Sequence, residues 1–135
     1  MATFNKVSNF VESVAEKAFN LGSDSLKIAL TNTAHTATWK YLADLTEVAY
    51  TNISARGLTI SSSAQTSGTY KLCLADLTLT ATGAVGPFQY VYIYDDTATN
   101  KELIGYYDYG SAVTLQSGDL FIIDFDNANG VLTLA

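Results

Sequence analysis

The spacing of apolar residues changes period once along the chain. Up to Leu21, the positions Phe4, Val7, Phe10, Val11, Val14, Ala18 and Leu21 recur at helical spacing and form one stripe. Glu12, Ser13, Glu16 and Lys17 fall off that stripe. The pattern predicts a helical segment over 1–22, with Gly22 as a left-handed C-terminal cap and either Thr3 or Asn5 at its start. After Gly22 the period is two. Leu26, Ile28 and Leu30 alternate with Lys27, Ala29 and Thr31, which predicts a half-buried strand. Residues 32–38 read as a polar loop. Over 39–48, Leu42, Leu45 and Val48 fit a helical turn, while Tyr41 and the threonines leave a short strand open.

The later strands are clearer. Leu58 and Ile60 begin one, which the turn chemistry of Ser61 to Gly68 ends. Tyr70, Leu72 and Leu74 mark the next, then Leu77, Leu79 and Ala81. Gly83 to Pro87 forms a loop. Val113 and Leu115 make a short strand. Leu120 to Phe125 is apolar on both faces, and Asn129-Gly130 before Val131 to Leu134 is a hairpin signal.

Residues 88–109 hold six of the nine tyrosines and read as a hairpin around Asp95 to Asn100. In its first strand, alternation places Phe88, Tyr90, Tyr92 and Tyr94 on one face and Gln89, Val91 and Ile93 on the other. A solvated sheet normally has one apolar face. The expectation is that one face fills the core and that part of the other meets another chain.

About eight short strands behind one N-terminal helix indicate an all-β fold, a β-sandwich of jelly-roll type. The 135 residues suit one domain, 1–135, with the helical segment at 1–22 and the sandwich over 23–135. There is no βαβ alternation, internal repeat or long linker.

Charge modifies this picture more than composition does. Only 15% of residues are charged, and threonine and serine supply much of the polarity, which suits a surface packed against neighbours. The net charge is −6, and eight of the thirteen acids lie in residues 76–135 with Lys101 the lone base there. That disfavours nucleic acid as a partner. The one cysteine, Cys73, sits in an apolar strand and reads as an inert, partly buried thiol, in keeping with synthesis in a host cytoplasm. Neither a signal peptide nor an apolar run of bilayer length is visible, so no membrane partner is expected.

Catalytic chemistry finds little support. The single histidine, His35, lies in a polar loop and reads as solvent-exposed, and no G-x-S-x-G elbow is present. One His and one Cys do not make a zinc site. Asp124 to Gly130 carries oxygen ligands near a glycine, but the spacing departs from the helical calcium loop and fits a turn better. No carboxylate pair stands out for glycoside hydrolysis. No enzyme activity, cofactor or metal is expected.

Binding chemistry is better represented. Tyrosine and tryptophan offer large contact area and one polar atom at low entropy cost. Half the tyrosines are expected in the core, and the rest at a rim or interface because each buried hydroxyl needs a partner. The candidate interface residues are Phe4, Phe10, Trp39, Tyr41, Tyr90, Tyr92, Tyr94, Tyr106, Tyr107 and Tyr109. The helix either covers its own sandwich or docks on a neighbour.

Several stretches together resemble small virion proteins of tailed bacteriophages, of the capsid cement or decoration type. They are Phe10-Val11-Glu12 through Ala15-Glu16-Lys17, Asn20 to Asp24, Leu26 to Thr33, Leu74 to Thr78, Gly86-Pro87-Phe88, Asp95 to Asn100, Leu103 to Gly110 and Asp124-Phe125-Asp126. The resemblance covers most of the chain in overall pattern. It implies a sandwich on the capsid exterior that clamps the major capsid protein lattice as a homo-oligomer, a dimer or trimer, and it carries over no catalytic residue. The alternative is a carbohydrate- or receptor-binding sandwich of a phage tail or head fibre, since aromatic faces stack on sugars.

Overall fold

The computed structural model describes residues 2–135. Nine strands and one six-residue helix follow the order β1 (Phe4–Lys6), α1 (Phe10–Ala15), β2 (Leu26–Thr31), β3 (Ile60–Thr66), β4 (Thr69–Leu74), β5 (Leu77–Thr80), β6 (Val85–Asp95), β7 (Leu103–Leu115), β8 (Leu120–Ile123) and β9 (Leu132–Leu134). A 3-10 turn at Leu42–Asp44 resolves the ambiguous segment before β3. All strand pairs are antiparallel. They form a four-stranded sheet, β1-β7-β6-β2, a three-stranded sheet, β3-β4-β9, and a ribbon, β5-β8. The protein is an all-β sandwich with one short helix. Sheets of four, three and two strands leave the jelly-roll connectivity unestablished. Among the described residues no helix is long and apolar enough to cross a membrane.

The N-terminal stripe is buried in part and is mostly not helical. Phe4, Asn5 and Lys6 pair with Tyr107, Tyr106 and Gly105 as an edge strand. The ladder satisfies backbone groups that the first turns of a helix leave orphaned. Gly105 makes the approach possible, because a Cβ there would overlap the Phe4 ring and come within 2.5 Å of the Asn5 carbonyl oxygen. The helix therefore starts after Asn9 and stops at Ala15, and Lys17 rather than Gly22 takes the left-handed conformation, at φ 65°. Val7, Phe10 and Leu21 are still buried, and Phe10 stacks on Phe19 with ring centroids 5.6 Å apart. Val11 points outward.

Several boundaries differ from their sequence reading. Residues 85–87, read as loop, open β6, and residues 113–115, read as a strand of their own, end β7 and pair with that opening. Ser61 to Thr66 belongs to β3, and only Ser67-Gly68, both at positive φ, make the turn to β4. Asn129-Gly130 does not close a hairpin, because β8 pairs with β5 while β9 pairs with β4. The Asp126 carboxylate instead accepts the Ala128 and Asn129 amide protons, at 3.0 and 2.9 Å, and turns the chain from one sheet to the next.

β2, an edge strand of the main sheet, is buried on both faces, beyond the half-burial its alternation predicts. Residues 47–58 cover its open edge. Val48 and Leu58 amides donate to Leu30 and Leu26, and the Ile28 amide donates to Arg56. The Tyr50 hydroxyl accepts the Leu30 amide proton at 3.0 Å and donates to Glu47 at 2.6 Å. The Arg56 guanidinium lies 3.7 Å from the Tyr50 ring centroid and donates to the Ile28 carbonyl. An otherwise sticky edge is closed by side chains and loop backbone together.

Candidate protein interface

The main sheet has two faces of different make-up. Leu26, Ile28 and Leu30 pair with Asp95, Ile93 and Val91, so these residues share the inner face with Tyr107 opposite Val91. That face meets the ribbon and the segment after it, through Tyr109 with Phe121 and Tyr107 with Phe125. The outer face carries Ala29, Tyr90, Tyr92 and Tyr106. Phe88 does not join them. A register shift between Phe88 and Tyr90 turns it inward, onto Phe121 at 5.2 Å.

The polar loop 32–38 and Trp39 cover the outer face. His35 stacks on Tyr106 with centroids 4.4 Å apart, and its Nδ1 lies 2.7 Å from the Tyr92 hydroxyl in a hydrogen bond. Trp39 meets His35 edge-on at 5.7 Å and lies 6.0 Å from the Tyr92 ring. His35 is thus half-buried in an aromatic cluster, not solvent-exposed as its loop suggested. Burial lowers its pKa below the ordinary 6.5. Burial also raises the Tyr92 hydroxyl well above its ordinary range, keeping it a neutral partner for the imidazole. At the rim, Gln89 Nε2 donates to Asp108 Oδ1 at 2.9 Å.

The expected interface residues therefore divide. Phe10, Tyr92, Tyr94 and Tyr107 are buried within the chain and are core residues. Both faces of the hairpin are covered from within the chain, the outer one by His35 and Trp39, and Phe10 is buried with them, so those four side chains are not free for a neighbour. Phe4, Trp39, Tyr41, Tyr90, Tyr106 and Tyr109 remain half-buried. Trp39, Tyr90 and Tyr106 come together on the outer face with His35 and Tyr92. Phe4 and Tyr109 each adjoin Tyr107 on the other face, and Tyr41 stands apart, bridged to Glu102.

The most exposed large apolar side chains on the strands were not among those expected. Leu120 is 60% and Ile122 58% exposed on β8, side by side on one face. Their cross-strand partners Thr80 and Thr78 are also exposed. Phe121 and Ile123 take the inner face, where Ile123 is fully buried. Asp119 and Asp124 flank the pair in sequence, and Asp108, Tyr109, Ile122 and Asp124 line an open groove with Ala2 and Gly110. This is an apolar centre with an acidic rim, the layout of a protein contact. Its signal was legible, since Leu120 to Phe125 is apolar on both faces.

Compared with known proteins, the chain matches no family model, no curated protein and no solved structure.

Proposed function

We propose that the chain is a structural virion protein that binds the outside of a phage capsid lattice and stabilises it. The observation that supports this most is the ribbon face of β8, where Leu120 and Ile122 lie uncovered beside each other. Burying such a side chain contributes about 1.5–3 kcal/mol when it is complete. A few kcal/mol is weak for one contact. Linked in a homo-oligomer that engages several lattice sites at once it is enough, and binding only the assembled shell then stabilises that shell by mass action. The resemblance to cement proteins and the sparsely charged surface favour the same reading. The acidic rim favours a capsid surface with basic groups around an apolar spot. Homo-oligomer formation belongs to this proposal.

The test uses heads of the encoding phage assembled without this protein. The purified chain is expected to co-sediment with them and to raise their thermal stability. Failure to co-sediment with such heads sinks the proposal.

A second reading, a carbohydrate-binding module, is favoured by one feature. Trp39 and Tyr90 are half-exposed on the outer face, and Tyr90 adjoins the Gln89–Asp108 pair, so aromatic and hydrogen-bonding groups of the kind that sugars take lie on one face. A glycan array decides it: reproducible hits lost in Trp39→Ala support the module, and an empty array removes it.

A further inference from the structure

The end of the β6–β7 hairpin holds a polar cluster that neither reading uses. Asp95 is completely buried at the last position of β6. Its Oδ1 accepts the Thr97 and Ala98 amide protons at 3.0 and 3.1 Å, holding the turn. Its Oδ2 is also buried and has no hydrogen-bond donor. The Asp24 side chain, from the loop between α1 and β2, lies within hydrogen-bonding reach of the Asp95 carboxyl. Asp24 is itself fixed, because its Oδ2 accepts the Asn20 amide proton at 2.9 Å. Two further bonds tie the same loop to the same turn: the Ser25 amide to Thr97 Oγ1 and the Asp96 amide to the Ser25 carbonyl, both 2.8 Å.

Two carboxylates in contact, one of them completely buried, do not both stay ionised. A proton between them turns repulsion into a hydrogen bond and supplies the donor that Asp95 Oδ2 lacks. We propose that Asp24 and Asp95 share a proton, and that this pair latches the α1–β2 loop to the hairpin turn more tightly as the pH falls.

The other charged groups around the pair leave the proton as its partner. From β2, Lys27 reaches Asp96 at 3.3 Å, and Lys101 of the turn reaches Asp96 at 2.7 Å, so both bases pair with the outer acid. Glu102 lines the adjoining cleft with Asp24, is almost fully buried, and leaves its own Oε2 without a donor. Glu16 and Lys17, from the end of α1, line the same cleft and are exposed. Burial first, and then the Asp24 side chain, raise the Asp95 carboxyl to about 7 from an ordinary 3.8. The folded pKa is above the unfolded one. The extra stability is therefore complete below the unfolded value and is lost as pH rises through the folded value.

The experiment compares urea midpoints and folding constants of wild type and Asp95→Asn from pH 4 to 8. The amide keeps the Oδ1 acceptor and presents a permanent N–H to Asp24, so the variant mimics the protonated latch. The ratio of wild-type to variant folding constants is expected to rise as pH falls from 7 to 4, by at most about tenfold per unit, the limit for one proton. A ratio independent of pH overturns the proposal. Asp24→Asn is the second arm, since it also supplies a donor, and it too is expected to lose the wild-type slope. A third arm adds calcium at pH 8. A calcium-dependent rise in wild-type midpoint that both variants abolish replaces the shared proton with a shared metal ion and overturns the latch as stated.

Discussion

β6 and β8 carry the same hydrophobic pattern and meet opposite fates. Each is apolar at consecutive positions, so each asks for cover on both faces. β6 gets it from within the chain: Val91, Tyr92, Ile93 and Tyr94 are all 3% exposed or less. The hydrophobic core takes one side, and His35 and Trp39 take the other. β8 has no such lid, and Leu120 and Ile122 stay in solvent. The difference is not in the strands. It lies in whether a loop elsewhere in the sequence brings rings to the second face. The loop of residues 32–38 does so for β6 although its composition is almost wholly polar.

The comparison is broken most forcefully with one residue type. Ile93 is 1% exposed and Ile122 is 58% exposed. Ile93→Ala leaves a cavity between packed layers and is expected to cost about 2–5 kcal/mol in chemical denaturation. A cost below 1 kcal/mol would mean that β6 is not the centre of the core.

The lid itself is tested next. Tyr92→Phe keeps the ring and removes the hydroxyl that pairs with His35 Nδ1, at an expected cost of about 1 kcal/mol. His35→Gln adds a pH signature. The folded-state pKa of His35 lies below its ordinary 6.5. The unfolded chain therefore takes up the proton first, and stability is lost as pH falls through that value. His35→Gln is expected to remove that loss, read as the wild-type-minus-variant difference between pH 7.5 and 5. If the difference does not change with pH, His35 does not anchor the lid.

How much of this was legible depends on whether the deciding contact is local. β4, β5 and β9 follow from period two, and the middle of β6 and β7 from their aromatic runs. Gly86-Pro87, however, reads as loop and hides the start of β6, and Gly110 to Ala112 hides the continuity of β7 into Val113 to Leu115. The burial of Val7, Phe10 and Leu21 followed from their spacing. Their conformation did not, because β1 exists only through a ladder with β7, a hundred residues away, and through the bare Cα of Gly105. Ser61 to Thr66 reads as turn because serine and threonine favour turns, yet pairing with β4 makes it strand. The inward swing of Phe88 needs a bulge that alternation does not announce. His35 was misjudged for a related reason: its neighbours in sequence are polar, and its neighbours in space are Tyr92, Tyr106 and Trp39. For the candidate interface, the apolar run of β8 was visible, but which of two such strands stays uncovered depends on a loop distant from both.

The smallest effect on stability carries the largest consequence for function. Ile122→Ser removes exposed apolar surface from a residue that packs on nothing above it, so stability is expected to stay within about 0.5 kcal/mol of wild type. If Ile122 is a contact residue, binding to heads that lack the protein weakens roughly tenfold or more, as for a side chain buried at the centre of an interface. The result to look for is therefore a dissociation: unchanged unfolding and lost co-sedimentation. Ile93→Ala is the inverse, with lost stability, and with binding retained in whatever fraction stays folded. Should Ile122→Ser bind like wild type while Trp39→Ala does not, the contact lies on the aromatic face, and β8 is an uncovered strand without a partner on the lattice.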